Sequence, residues 1–127
     1  MLTRARLQTD GGYYAQALST LQQFRPTPAT PPRDQLEAPY RRARVWQGLG
    51  RLDSARADYQ RTLRRSVALG EPAYYFAPQA ALQLGYLAQA AGQRAAAKGY
   101  FERAMAYSKH EYKNSTDQKA KLALRQL

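Results

Sequence analysis

The chain has 127 residues, 44% of them hydrophobic and 23% charged, and no cysteine. That length supports one shared apolar core and not two independent ones. The missing cysteines exclude a disulfide framework, a thiol nucleophile and thiolate metal ligation. Twenty Lys and Arg against nine Asp and Glu leave a net charge of +11, which draws acidic partners and favours non-specific adhesion to nucleic acid.

The residues after Met1 (Leu-Thr-Arg-Ala-Arg-Leu-Gln-Thr-Asp) lack the apolar run of a secretory signal. No stretch reaches the roughly 20 apolar residues of a membrane span. The most Ala-rich region, Ala77 to Ala97, is broken by Gln79, Gln83, Gln89, Gln93 and Arg94. The expectation is a soluble chain without a membrane span, cytoplasmic by default.

Apolar residues recur at helical spacing, and no segment alternates as a half-buried strand would. Gly11-Gly12, the run Pro26 to Pro32, Gly50, Gly70-Glu71-Pro72 and Gly92 cut the chain into helix-length pieces. Helices are predicted at roughly 2–9, 13–24, 38–49, 53–69, 77–91, 94–109 and 115–127. Pro39 and Pro78 suit first-turn positions, where a missing N–H costs nothing. Asp53 is placed to cap the helix it begins, and Ser115 with Gln118 fits a capping box at the start of the last helix. In that helix Ala120, Leu124 and Leu127 share one face, while Lys119, Lys121 and Arg125 lie away from it.

An internal repeat organises these pieces. Leu84-Gly85 is followed by Gly92, and then by Ala97, Phe101 and Ala104 at spacings of four and three. Small residues at 85, 97 and 104 would let two helices approach closely, with the ring at 101 filling the space between successive pairs. With Gly50 aligned to Gly92, Ala43, Trp46, Ala55 and Tyr59 fall at the positions of Gly85, Ala88, Ala97 and Phe101. With Gly12 aligned, Ala5, Ala17 and Leu21 take the corresponding places.

The segment Leu84–Ala104 resembles a tetratricopeptide repeat, and the frame extends the resemblance over nearly the whole chain. The three glycines stand 38 and 42 residues apart, against about 34 in the standard repeat. The Pro-rich linker and residues Gly70–Ala77 absorb the surplus. The third copy departs from the family at Ala81, Ala88 and Lys109, where Trp, Tyr and Pro are favoured, and the first copy is the weakest. The stretches Ala73–Gly85 and Tyr112–Leu127 are also similar to the C-terminal end of long uncharacterised bacterial tetratricopeptide proteins.

The resemblance implies an all-α, right-handed superhelical solenoid of about three helix pairs plus a C-terminal capping helix. The pairs span about 1–25, 36–69 and 78–111, and the capping helix 115–127. A terminal repeat exposes an apolar face unless such a helix covers it; the same helix would also suit docking or self-association. About three repeats is the minimum for a stable array. Met1 is therefore read as the start of a fragment, with upstream repeats or a second copy of the chain covering the N-terminal end.

Catalytic constellations are missing from the sequence, and the reading is of a protein that is not an enzyme and needs no cofactor or metal. His110 is the single histidine, set among Lys109, Glu111 and Lys113 and read as a solvated surface residue. The serines have no G-x-S-x-G context, and Gly48-Leu49-Gly50 lacks the rest of a phosphate-loop fingerprint. Asp58 is read as an i,i+3 partner of Arg61.

What the resemblance implies for function is protein–protein interaction, as a scaffold or adaptor. In the family the first helix of each pair lines a concave groove. Carried over, one column holds Arg6, Arg44 and Tyr86, and its neighbour holds Thr3, Arg41 and Gln83. Tyr40, Gln47, Leu82 and Gln89 stand at adjacent positions. Guanidinium groups grip carboxylates bidentately, and tyrosine adds area at small entropic cost. The expected ligand is an acidic or amphipathic peptide or helix of another protein. The chaperone-binding carboxylate clamp of the family is not reproduced, since Arg stands where Asn would be needed.

Two other readings remain open. Arg51, Arg56, Arg61, Arg64 and Arg65 form a second basic feature on one helix, of a kind that binds nucleic acid through its phosphates. A structural end-cap of a larger helical protein, with no ligand of its own, would leave both sets of arginines as solvated surface.

Overall fold

In the computed structural model, which describes residues 1–127, the chain forms seven α-helices and no strand. They are α1 (Leu2–Asp10), α2 (Tyr14–Gln22), α3 (Pro32–Gly48), α4 (Leu52–Ala68), α5 (Phe76–Ala90), α6 (Arg94–Ala106) and α7 (Lys113–Arg125). None is long and apolar enough to cross a membrane.

The turns inside the first three pairs are built alike. After α1, Gly12 N donates to Thr9 O at 3.0 Å and Tyr13 N to Gln8 O at 2.8 Å. After α3 the same two bonds join Gly50 to Gln47 and Arg51 to Trp46, and after α5 they join Gly92 to Gln89 and Gln93 to Ala88. This is the Schellman closure, which consumes carbonyls left open at a helix end and needs one residue in the left-handed region. Gly12, Gly50 and Gly92 fill that position, with φ of 80°, 74° and 75°.

Three expectations about how helices begin are not met, and α2 and α6 end two and three residues early, at Gln22 and Ala106. Helix α3 begins at Pro32 and not near 38: Pro32 needs no amide partner in the first turn, and Asp34 adds a carboxylate beside the free N–H groups. Pro39 therefore lies inside the helix, where its ring nitrogen has no hydrogen to give the Gln35 carbonyl. Asp53 does not cap α4; its exposed carboxylate pairs with Arg56 at 2.8 Å. Nor does Ser115 start α7, which begins at Lys113 behind Tyr112, a residue at φ 62°. Lys113 fixes that start by donating to the carbonyls of Tyr107 (2.7 Å) and Met105 (3.3 Å) and pairing with Asp117 at 2.9 Å.

Each helix packs only on its next and next-but-one neighbours in the chain. Sequential partners α1–α2, α3–α4 and α5–α6 make broad interfaces. The odd helices also touch in series, α1 to α3 to α5 to α7, whereas α2, α4 and α6 do not touch one another. Consecutive odd helices run parallel. Arg41 bonds the Tyr75 hydroxyl just before α5, while Gln47, further along α3, bonds Gln83, further along α5. Likewise Tyr75 meets Tyr112, and Gln79 bonds Thr116 one turn later in both segments.

Two apolar clusters result, and α3 belongs to both. Ala38 and Val45 join Leu2, Ala5, Ala17 and Leu21. On another side Leu36, Tyr40 and Ala43 join a larger cluster that reaches through α4, α5 and α6 to Ala120 and Ala123 of α7. The small residues of the repeat frame lie at the crossings: Ala5, Ala17, Ala43, Ala55, Ala97 and Ala104 are all fully buried, as are Leu21, Tyr59 and Phe101 beside them.

Gly85 is the tightest of these. A methyl group there would stand 2.4 Å from the Phe101 ring, which is itself enclosed. Gly85→Ala is expected to destabilise the protein by about 1–3 kcal/mol in urea or thermal unfolding. Gly99, in the middle of α6, faces open space. Gly99→Ala is expected to leave stability unchanged or raise it by up to about 1 kcal/mol.

Candidate functional site

Because both sides of α3 are packed, only two narrow edges of it stay open. Successive residues turn by about 100°, which puts Arg44 and Gly48, with the buried Glu37 on the same line, on one edge, and Gln35 and Arg42, with the buried Pro39 between them, on the other. The residues lining the surface clefts divide the same way. The first edge lies along the line of odd helices, and the second faces α4 and the Pro-rich linker.

The first edge carries the residues expected to form a groove, but not all are free. Tyr40 is buried among the rings of Tyr59, Tyr75 and Phe76, with centroids 5.7 to 6.2 Å apart. Arg41 is buried too: its Nε donates to Glu37 at 2.9 Å and its Nη2 to the Tyr75 hydroxyl at 2.7 Å. Burial opposes its charge, yet Tyr75 and Glu37 hold its pKa above the ordinary arginine value. Arg41 is thus a tie between α3 and α5 and offers no open face to a ligand.

Gln47 and Gln83 are half-buried and bonded to each other at 3.3 Å, and Gln47 also accepts from the Tyr59 hydroxyl at 2.6 Å. Tyr86 lies edge-on to Phe101 with its centroid 5.5 Å away, and burial raises its pKa. Gln89 is half-buried on the same helix.

Arg6 and Arg44 are the open guanidinium groups, and each shares a cleft with an acid. Arg6 lines a cleft of about 350 Å³ with Thr3, Asp34 and Glu37. Arg44 lines one of about 380 Å³ with Thr9, Asp10 and Gln47. Burial works against the Arg44 charge, but the phenols of Tyr40 and Tyr59 hold its pKa above the ordinary value.

The columns read from the repeat frame are not the lateral rows of the structure. Arg41 meets Tyr75, about two helical turns before Gln83, and Gln83 is met instead by Gln47. Helix α5 is thus staggered along its axis relative to α3, and sequence alignment does not encode that stagger.

The second edge centres on Asp58 of α4, which is almost fully buried. It accepts from Trp46 Nε1 at 3.1 Å and from Arg61 at 2.9 Å, and it stands 3.4 Å from two nitrogens of Arg42. The pairing with Arg61 follows the i,i+3 spacing; the Trp46 and Arg42 contacts cross between helices and had no sequence signal. Arg64 and Arg65 are exposed and make no ion pair, whereas Arg56 is taken by Asp53.

His110 is only partly exposed. Its Nδ1 lies 2.7 Å from the Glu111 carbonyl and its Nε2 is enclosed without a partner, so the fully solvated setting expected from its charged neighbours is not found. No three of the His, Asp and Glu side chains gather where a metal ion could be held. Comparison with protein-family models, with curated proteins and with solved structures finds no match.

Two outcomes follow. Asp58→Ala is expected to destabilise the fold by about 1–3 kcal/mol in urea unfolding, because it strips one buried acceptor from three donors. Burial raises the pKa of Tyr40 and Tyr59 above the ordinary tyrosine value, against the lowering effect of nearby arginines. The folded chain therefore keeps protons that the unfolded chain releases, so stability is full below about pH 10 and falls as pH rises beyond it. Urea midpoints measured from about pH 9 to 11.5 should decline at the alkaline end, and Tyr59→Phe should flatten the decline.

Proposed function

We propose that the chain is a tetratricopeptide-like stack of helix pairs, without catalytic chemistry of its own, that binds a segment of another protein along its odd helices. One observation carries this reading: the odd helices run parallel and in contact, while the even helices do not touch. In a stack of that kind the odd helices take the inner, shorter path, and the surface they share is concave. The identical glycine-closed turns and the buried small residues at equivalent places support the repeat character.

The inner face is mixed in charge. Arg6 and Arg44 stand beside Glu37 and Asp10, with Gln47, Gln83, Tyr86 and Gln89 between and beyond them. A fitting ligand is an amphipathic segment whose carboxylates reach Arg6 and Arg44 while its apolar side lies on Tyr86. Tyr40 and Arg41 would support this face from below without touching the ligand.

Selection from a random peptide library on the immobilised protein tests the proposal. Enriched sequences should carry Asp or Glu at helical spacing, and Arg44→Glu should weaken their binding about tenfold or more, a loss near 1.4 kcal/mol. Arg64→Glu, on the outer edge, should leave binding within about twofold of the parent. Enrichment of basic sequences, or equal loss in both variants, would remove the inner face as the binding site.

A further inference from the structure

The second edge of α3 holds a cleft that the groove reading does not use. It is about 380 Å³ in volume and runs between the linker, α3 and α4, with Pro26 and Pro39 as walls and Arg42, Arg61, Arg64 and Arg65 around it. Four arginines line it and no carboxylate does; Asp58, which pairs with Arg42 and Arg61, is buried behind them.

Asp58 is a tether in this arrangement. It takes one nitrogen of Arg61 and lies at a long 3.4 Å from Arg42, so most of the five N–H donors on each remain free. Two side chains are thereby fixed in direction before any ligand arrives, which lowers the ordering entropy of binding. Arg64 and Arg65, on the exposed face of the same helix, add two unpaired charges. One Asp against four Arg leaves the cleft strongly positive.

We infer that this cleft binds a compact, multiply charged phosphate, either free or as the phosphoryl end of a small ester. The fork of an arginine matches phosphate oxygens two at a time, and the volume lies at the lower end of small-ligand sites. A nucleic-acid strand fits the observations less well. No aromatic ring lines the cleft for a base to stack on, and Arg56, which would extend the basic track along α4, is held by Asp53. The site is independent of the inner face, since Arg42 and Arg44 leave α3 on opposite sides.

Calorimetric titration of the intact chain at low ionic strength, with inorganic pyrophosphate and glycerol 3-phosphate as probes, tests the inference. Saturable one-to-one binding is expected, weakening with added salt, and the tighter probe identifies a free polyphosphate or a phosphate ester as the source. Arg64→Ala and Arg65→Ala should each weaken binding about tenfold; neither side chain makes an ion pair, and circular dichroism checks that the helices persist. Arg44→Ala removes the same charge from the inner edge and should change binding less than about twofold. The inference fails if neither probe saturates by roughly 10 mM, or if Arg44→Ala weakens binding as much as Arg64→Ala. It also fails if an oligonucleotide displaces pyrophosphate with affinity that climbs as nucleotides are added.

Discussion

Close approach between helices is the constraint on which the rest of this structure depends. Ala43, Gly85 and Ala97 are fully enclosed where helices of a pair and of neighbouring pairs cross, and the rings of Tyr59 and Phe101 fill what space remains. A larger residue at 85 would collide with the Phe101 ring at once. Interiors packed to this density do not deform smoothly, so the small side chains determine the distance between pairs. That distance decides whether Arg41 can reach Tyr75 and Gln47 can reach Gln83. The surface chemistry is inherited from the crossings beneath it.

Helix α3 shows how far one element can be shared. Its sides serve two apolar clusters, and its two remaining edges are polar. The length needed for this comes from the start at Pro32, which adds Leu36 and Glu37 to the packed turns. Pro39 inside the helix costs about 3 kcal/mol through the lost bond and the crowding of its ring on the Gln35 carbonyl, a cost that burial on both sides of α3 offsets. Had the helix begun near 38, Glu37 could not pair with Arg41 one turn later, and the tie to Tyr75 would lose its counter-charge.

What was legible in the sequence had local, periodic causes. Gly12, Gly50 and Gly92 mark turns because the left-handed residue of a Schellman closure is written directly as glycine. Seven helices followed from spacing and punctuation. The failures share a different cause. Pro39 carries the same letter whether it opens a helix or interrupts one, and only the burial around it decides. Asp58 reads as a surface partner of Arg61 until Trp46 and Arg42 arrive from another helix. Tyr40 and Arg41 occupy groove-lining positions in the repeat frame, yet the stagger of α5 against α3 places Tyr75 and Phe76 against them. Stagger between pairs depends on how linkers of unequal length close, and no single repeat encodes it.

The charge of the chain gains meaning from where its acids lie. Of nine acidic residues, Glu37, Asp53, Asp58 and Asp117 are in ion pairs. Along the inner edge each open arginine has a carboxylate lining the same cleft, so the field there alternates in sign over a few ångströms. Such a surface selects for register: a ligand must place its own charges in matching order, and net charge alone attracts it weakly. Along the outer edge the single acid lies underneath the arginines, and the field has one sign. A surface of that kind selects for charge density and is indifferent to order. On the two proposals made above, one helix would separate two recognition problems that the composition, taken as +11 spread over the chain, merges into one.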